Sequence, residues 1–290
     1  MFSLTHGHLN LLSACPRKFQ YLILEQLTTP ISIDQQSALD WGQQFHLLIQ
    51  QQELGLEPTL FSQEDNEFNQ CMAALRKAAP ELFSSVQDAP RTMELFRSSE
   101  HHRSLFFHGY LLTVVYDLLI LYPHRAEIID WKTTLHPREF PSLSKDWQTK
   151  LYLFVLAETQ QNLNPILTAD HVRMTYWFVR PRHVSPSPDP HPQSVSIPYN
   201  RSLHEQTRRE LTGLCRQLTE WLNPSLPSMS DSTLPQVNVT SGLCSTCCFA
   251  IRCQRTASSD TPVIPNLGET ESLSISDIPE VILDEGAIDR

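Results

Sequence analysis

A dense stretch of aliphatic, β-branched and aromatic residues in the middle of the chain constrains the fold more than any other feature. The run "SLFFHGYLLTVVYDLLILYP" is followed at once by "HRAEIIDWKT". This composition predicts β-strands, and Gly109 divides the first run into strands at 103–109 and 110–121. A turn at Pro123–His124 separates them from a third strand. A chain with such strands must bury them at the centre of a sheet.

Helical periodicity surrounds this strand-rich part, which predicts an α/β fold with a mixed central sheet flanked by helices. A segment rich in Gln, Glu and Ser at about 55–100 predicts a helical insertion. Pro16 is expected to disturb the first helix or to start a second one. Helices are predicted at 9–27, 36–54, 144–160 and 201–222, and further strands at 171–182 and 193–200.

Charge and composition indicate one folded domain and a tail. The chain has 290 residues and a net charge of −10. Residues 257–290 hold eight acidic residues and one basic residue, and they predict a disordered acidic tail after a domain at 1–256. No apolar run is long enough to span a membrane. The N-terminal segment does not resemble a signal peptide, so a cytoplasmic location is expected.

Two carboxylates and an amine interrupt the buried strands. Asp130 and Lys132 share one strand face, because side chains alternate with a period of two. Asp117 lies inside the preceding strand, and two adjacent strands can bring Asp117 and Asp130 together. Paired carboxylates repel each other unless a cation lies between them, which favours a magnesium or manganese site. The alternative is that both face solvent and Lys132 pairs with one of them, but an unpaired charge inside the apolar run of Asp117 would be costly.

Three further polar residues occupy helices on either side of these strands. His46 lies on the helix that precedes the sheet, where it is either a structural histidine or a nitrogen ligand to the same metal. Gln148 and Tyr152 are four residues apart and share a helix face. They form either a half-exposed surface or part of the same site.

The order of these features resembles the PD-(D/E)XK nuclease superfamily, and within it the RecB-type nucleases and the iron–sulfur nucleases of CRISPR adaptation. The family pattern is a Gly-x-x-x-His helix, an Asp on one strand, Asp/Glu-x-Lys on the next, and a Gln-x-x-x-Tyr helix. Here these are Gly42 to His46, Asp117, Asp130-Trp131-Lys132, and Gln148 to Tyr152. The resemblance implies a restriction-endonuclease-like core.

The resemblance also implies a role for each residue. His46, Asp117, Asp130 and the backbone carbonyl of Trp131 would hold Mg²⁺ or Mn²⁺. Lys132 would position the attacking water. Gln148 and Tyr152 would contact the DNA backbone and brace the site.

Four of the seven cysteines lie close together near the end of the folded domain. Cys244, Cys247 and Cys253 are spaced x2 and x5, a pattern typical of zinc or iron–sulfur ligation. The fourth ligand is expected to be Cys15, because adjacent residues such as Cys247 and Cys248 rarely ligate one centre. The family resemblance implies a [4Fe–4S] cluster that staples the termini together; zinc is the alternative.

The function expected from these features is metal-dependent hydrolysis of DNA, with DNA ends or single strands as substrate, in repair, recombination or defence. The chain lacks a Gly-x-x-x-x-Gly-Lys-Ser/Thr motif, so unwinding would need a separate helicase or a repair or CRISPR protein. The rival hypothesis is a non-catalytic nucleic-acid-binding or scaffold protein that keeps the nuclease fold.

Overall fold

A computed structural model describes residues 2–56, 66–83, 94–161, 167–180, 191–223 and 233–255. The chain forms two compact units. The first contains Met1–Ser3 and Ile31–Gly213, and the second contains Leu4–Pro30 and Leu214–Arg290. The predicted acidic tail at 257–290 lies outside the described residues.

The first unit is built on a mixed β-sheet. Its strands are β1 (Ser3–Leu4, of which Ser3 belongs to this unit), β2 (Phe96–Phe107), β3 (Tyr110–Tyr122), β4 (Arg125–Lys132), β5 (Val172–Phe178) and β6 (Gln193–Pro198). Strand β3 pairs with both β2 and β4, and the sheet continues through β5 to β6. All of these pairs are antiparallel except β4 with β5, which is parallel.

Helices pack against this sheet, as predicted from the sequence. They are α3 (Ile33–Glu53), α4 (Asn66–Ala78), α5 (Pro80–Phe83), α6 (Phe140–Leu143), α7 (Trp147–Gln161) and the part of α8 (Arg201–Leu222) that ends at Gly213. Helix α7 provides the crossover between β4 and β5, because parallel neighbours cannot be joined by a tight turn. It packs on β2, β3 and β5.

Two helix starts follow directly from sequence. Ser32 caps α3 by accepting a hydrogen bond from the backbone N–H of Gln35, whose side chain accepts one from Ser32 N–H. Asn200 caps α8 by accepting from the N–H of Leu203 at 2.9 Å. Each cap satisfies amide groups that have no partner within the helix.

A hydrophobic core joins α3, α4 and α5 to the central strands. It includes Phe45, Leu48 and Ile49 of α3, Phe68, Met72 and Leu75 of α4, and Leu118, Ile120, Ile129 and Trp131 of β3 and β4. Burying each such large side chain stabilises the fold by roughly 1.5–3 kcal/mol. This core holds α3 against the strands that carry the predicted site residues.

The second unit joins the N-terminal helices to a segment near the other end of the chain. It contains α1 (His6–Ala14), α2 (Pro16–Phe19), a π-helical turn at 20–24, and residues 233–255. Pro16 begins α2, so it starts a second helix, one of the two outcomes expected. Arg17 Nε donates to the backbone oxygen of Leu234 at 2.6 Å, and Leu234 N–H donates to Gln20 Oε1 at 2.7 Å.

One boundary predicted from sequence is wrong. The helical insertion was expected to reach residue 100, but β2 begins at Phe96 and pairs with β3 from there. The stretch "FRSSEHH" is polar because it lies on an edge strand, so it lacks the apolar pattern that marks a buried strand. Helices do occupy the described middle of the predicted insertion, at α4 and α5.

Within the described part of the chain, none of the helices combines the length and apolar character needed to cross a membrane.

Candidate metal centre and active site

Asp117 and Asp130 lie on neighbouring antiparallel strands. The pairing of β3 with β4 reaches Leu118 opposite Ile129, so the two aspartates are the next residue on each strand. Asp117 Oδ2 accepts a hydrogen bond from the backbone N–H of Trp131 at 2.7 Å. The side chain of Asp117 is therefore held against the strand that carries Asp130 and Lys132.

His46 reaches Asp117 from helix α3. Its Nδ1 lies 3.5 Å from Asp117 Oδ2. Gly42, one helical turn earlier, explains how α3 comes so close. A β-carbon at this position would lie 3.1 Å from the Thr133 side-chain oxygen, a tight contact that requires either Thr133 or α3 to shift.

Glu100 joins these two residues, and the sequence analysis missed it. One ligand atom each of His46, Glu100 and Asp117 lies within 4.8 Å of the other two. Glu100 sits on β2 across from Asp117, between the pairs Ser99–Leu118 and His101–Tyr116.

A sequence signal for Glu100 exists in the β2–β3 hairpin. Counting outward in both directions from the turn at His108–Gly109 places Glu100 opposite Asp117. This pairing was not predicted because residue 100 was expected to belong to the helical insertion.

The backbone at Glu100 has a φ of +46°. A non-glycine residue in this left-handed region costs on the order of 1 kcal/mol or more, and such strain concentrates at functional sites. The surrounding β2–β3 pairing holds the residue in this conformation.

Lys132, Asp130 and Gln148 form a closed set of polar contacts beside this group. Lys132 Nζ lies 2.7 Å from Asp130 Oδ2 and donates to Gln148 Oε1 at 2.8 Å. Gln148 Nε2 donates to Asp130 Oδ1 at 2.7 Å. Asp130 is 1% exposed and Gln148 5% exposed. The lysine ammonium is thus held between a buried carboxylate and a buried amide.

The charge of Lys132 follows from its surroundings. Burial lowers the pKa of Lys132, but the carboxylates of Asp130 and Asp117 outweigh this effect and raise the pKa above its ordinary value. Lys132 is therefore an ammonium group at neutral pH. Its Nζ also lies 5.5 Å from the centre of the Tyr176 ring, which restricts the side chain further.

Gln148 and Tyr152 are both buried on helix α7. The Tyr152 side chain is 1% exposed, and its ring packs edge-on against Tyr116 with centroids 5.4 Å apart. The hydroxyl of Tyr116 donates to the backbone oxygen of Tyr152 at 3.1 Å. In this conformation the two α7 residues lie behind the site, where they can brace it, and neither is on the surface.

The donor set fits a divalent cation. Carboxylate oxygens and an imidazole nitrogen suit Mg²⁺ or Mn²⁺. In addition, Asp130 Oδ2 is buried and receives no hydrogen bond of good geometry within the described residues, although Lys132 Nζ lies close to it. A buried carboxylate oxygen in this state is suited to ligate a cation.

The four cysteines predicted as cluster ligands lie in the second unit. Cys15, Cys244, Cys247 and Cys253 are half-buried, and none forms a disulfide. Burial raises the pKa of the Cys253 thiol, and the neighbouring Cys247 and Cys15 thiols raise it further. Cys15 is thus within electrostatic reach of Cys253 in the folded unit. Within the described residues, however, no three cysteine sulfurs lie within 4.8 Å of one another.

Comparison with known families identifies the fold. A model of the PD-(D/E)XK nuclease superfamily matches residues 3–254. The chain belongs to the PD-(D/E)XK nuclease superfamily. A crystal structure from Eubacterium rectale, of a protein provisionally named an exonuclease, is similar with a TM-score of 0.44 and 8% identity, covering 83% of this chain and 92% of that one. The curated proteins contain no match to the chain.

Membership of the PD-(D/E)XK nuclease superfamily confirms the predicted fold, a mixed sheet flanked by helices in the restriction-endonuclease-like arrangement. It also supports phosphodiester hydrolysis as the chemistry of this chain. The polar group around His46, Glu100 and Asp117, with Lys132 beside it, is where the described structure offers ligands for the divalent metals that this superfamily uses.

Proposed function

We propose that the protein is a Mg²⁺- or Mn²⁺-dependent deoxyribonuclease that acts as an exonuclease on DNA ends or single strands. One observation carries the proposal: His46, Glu100 and Asp117 converge within 4.8 Å, and Asp117 is bonded to the strand that carries Lys132. Superfamily membership supports the nuclease chemistry. The preference for DNA and for ends follows from the sequence resemblance to RecB-type nucleases.

In this proposal the metal is held by His46, Glu100, Asp117 and Asp130, together with the backbone carbonyl of Trp131. Oδ2 of Asp130 would be shared between the metal and the Lys132 ammonium 2.7 Å away, since Oδ1 accepts from Gln148. When bound there, the ion would supply Lewis acidity and would lower the pKa of a coordinated water. Its ligands are presented from α3, β2, β3 and β4, so the fold assembles the site.

Lys132 acts on the reacting phosphate and the attacking water. Its ammonium can orient the water and oppose the negative charge that develops on the phosphoryl oxygens. Gln148 holds Lys132 in place by accepting its hydrogen bond, and Tyr152 supports α7 from the buried side. The water adds to phosphorus, and one ester P–O bond breaks.

The direct experiment measures cleavage of labelled blunt, tailed, circular and single-stranded DNA, and of RNA, with Mn²⁺, with Mg²⁺ and with a chelator. Lys132→Ala is expected to abolish cleavage. Lys150→Ala is the matched control, because Lys150 also lies near the start of α7. Its Nζ lies 2.9 Å from Glu210 Oε2, and neither residue is among the proposed ligands. Equal cleavage by the wild type and Lys132→Ala would refute the enzymatic proposal.

Glu100 can be tested separately from the chemistry. Glu100→Gln is expected to weaken Mn²⁺ binding, measured by calorimetry without DNA, because an amide is a poorer ligand than a carboxylate. Glu127→Gln is the control, since Glu127 lies on β4 and contacts Thr175 instead. Unchanged Mn²⁺ affinity in Glu100→Gln would remove Glu100 from the ligand set. Normal Mn²⁺ binding without cleavage of any substrate would favour the non-catalytic scaffold.

We also propose that Cys15, Cys244, Cys247 and Cys253 hold a [4Fe–4S] cluster, with Zn²⁺ as the alternative. The x2 and x5 spacing supports it. The bonding of the Arg17 and Gln20 side chains to Leu234 also supports it, because it ties the Cys15 segment to the chain leading into the cysteine-rich stretch. The test is anaerobic purification, a visible spectrum and metal analysis. A colourless protein with one zinc and no iron would refute the iron–sulfur proposal.

The biological setting that we propose is DNA repair, recombination or defence alongside a separate helicase or a repair or CRISPR protein. Its support is the sequence resemblance. Co-purification with the product of a neighbouring helicase gene would test it.

A further inference from the structure

The loop between β4 and α7 connects the catalytic lysine to the glutamine that holds it. It runs from Thr133 to Asp146, between Lys132 at the end of β4 and Gln148 in the first turn of α7. The loop includes the short helix α6, and a movement that displaced the start of α7 would shift Gln148 relative to Lys132. The contacts that fix the loop therefore matter to the site.

Asp146 fixes the start of α7. Its Oδ1 accepts a hydrogen bond from the backbone N–H of Gln148 at 2.9 Å, and its backbone oxygen accepts from Lys150 N–H at 3.1 Å. This is the geometry of a helix N-cap. The cap acts on Gln148 itself, whose side chain bridges Asp130 and Lys132.

Arg138 engages the other oxygen of Asp146. Its Nη1 donates to Asp146 Oδ2 at 2.7 Å, and its Nη2 donates to Ser142 Oγ at 3.0 Å. The side chain of Asp146 is 9% exposed and that of Arg138 is 31% exposed. This ion pair is partly shielded from solvent, so it is screened less than a fully exposed pair would be.

We propose that Arg138 and Asp146 are positioning residues of the nuclease site. Their ion pair holds the first turn of α7 where the Gln148 amide can bridge Asp130 and Lys132. This inference rests on the proposed nuclease function for its kinetic consequence. Its structural consequence, the placement of Lys132, can be measured without activity.

The kinetic test compares Asp146→Ala, Asp146→Asn and Arg138→Ala with the wild type. Asp146→Ala and Arg138→Ala are expected to lower kcat by about 10- to 100-fold with KM unchanged, as is usual when the support of a catalytic group is lost. Asp146→Asn keeps a good capping oxygen but loses the charge, so its kcat should lie between that of Asp146→Ala and the wild type. A higher KM with unchanged kcat in Arg138→Ala would mean that Arg138 contacts DNA, and would overturn the proposal.

Glu210→Gln is the matched control. Glu210 pairs with Lys150 at 2.9 Å, so the variant disrupts an ion pair on the same turn of α7 that does not involve Gln148. It is expected to leave kcat and KM unchanged. A loss of kcat equal to that of Asp146→Ala would show a general effect on α7 and would refute a specific role for the Arg138–Asp146 pair.

The activity-independent test is NMR of protein labelled with ¹³C at the lysine ε-carbons. The chain has five lysines, and the signal of Lys132 is assigned by its disappearance in Lys132→Arg. Because Lys132 lies over the Tyr176 ring, its ε-protons experience a ring-current shift that depends on position. That signal is expected to move in Asp146→Ala and stay in Glu210→Gln. If the Lys132 signal does not move in a folded Asp146→Ala variant, the positioning role is refuted. If the wild type is inactive but the signal moves as expected in Asp146→Ala, only the nuclease proposal is refuted.

Discussion

Asp117 Oδ2 accepts a hydrogen bond from the backbone N–H of Trp131 at 2.7 Å and lies 3.5 Å from His46 Nδ1. One carboxylate thus joins two strands and also faces the proposed metal position. A residue with both roles affects stability and metal binding, and the two effects can be separated by the choice of substitution.

Asp117→Ala and Asp117→Asn are expected to differ in stability but not in metal binding. The alanine variant loses the charge-assisted hydrogen bond from Trp131 N–H to the carboxylate. This loss should lower the free energy of unfolding by about 1.5–3 kcal/mol. Asparagine keeps an acceptor oxygen and should lose less. Both should bind Mn²⁺ weakly, because neither offers a carboxylate. Denaturant unfolding without metal and Mn²⁺ titration check this; strong Mn²⁺ binding by Asp117→Asn would contradict it.

Gly42→Ala is expected to lower Mn²⁺ affinity and cleavage because it moves α3. The added β-carbon would meet Thr133 Oγ1 at 3.1 Å, and the prediction is that α3 gives way, taking His46 with it, because Thr133 is itself buried. The double variant Gly42→Ala/Thr133→Ala removes the obstructing oxygen and should recover much of the lost affinity. If adding Thr133→Ala does not restore Mn²⁺ affinity, the role assigned to Gly42, which is to let α3 approach Thr133 closely, is wrong.

Arg97→Ala is expected to destabilise the first unit strongly. Its guanidinium binds both carboxylate oxygens of Glu53, at 2.6 and 2.7 Å, and donates to the backbone oxygen of Leu82 at 2.7 Å. The pair ties α3, which carries His46, to β2, which carries Glu100. Removing one partner of a buried ion pair typically costs roughly 3–5 kcal/mol.

The measurement for Arg97 is urea unfolding of Arg97→Ala, Glu53→Gln and the double variant. The double variant should be less destabilised than the sum of the single ones, since neither Arg97 nor Glu53 is left as a charge without the other. Additive losses would show that the two side chains do not act as a pair.

Glu158 should make stability depend on pH in the acid range. A hydrogen bond with His204 at 2.7 Å lowers the pKa of Glu158, and the charge of Arg208 lowers it further. Burial acts in the opposite direction, but the net shift is downward. A carboxyl group whose pKa is lowered by folding stabilises the native state above its unfolded pKa, and this contribution is lost as pH falls through the folded value. The loss of stability is therefore expected at pH values below 4.5, the ordinary pKa of a glutamate side chain.

Thermal unfolding of the wild type and Glu158→Gln over a range of pH tests this linkage. The wild type should be more stable at neutral pH, and the difference should shrink as the pH falls below about 4.5. A difference that is constant from neutral pH to pH 3 would show that the charge of Glu158 does not contribute.

The sequence by itself determined the strand-rich centre, the order of the flanking helices and most of the candidate site. These depend on local composition and on alternation within single strands, which place Asp130 and Lys132 on one face wherever the strand lies. The ordered set from Gly42 to Tyr152 predicted the superfamily that the family model confirms.

The tertiary structure added the residues that had not been assigned to the site from the sequence. Glu100 is 17 residues from Asp117 in the chain, and only the β2–β3 pairing brings them together. Arg138 and Asp146 lie in a loop without a motif, and their relation to Lys132 arises because α7 begins beside the end of β4. Polar residues on an edge strand or in a loop carry little periodic signal, since their partners are set by contacts between distant segments.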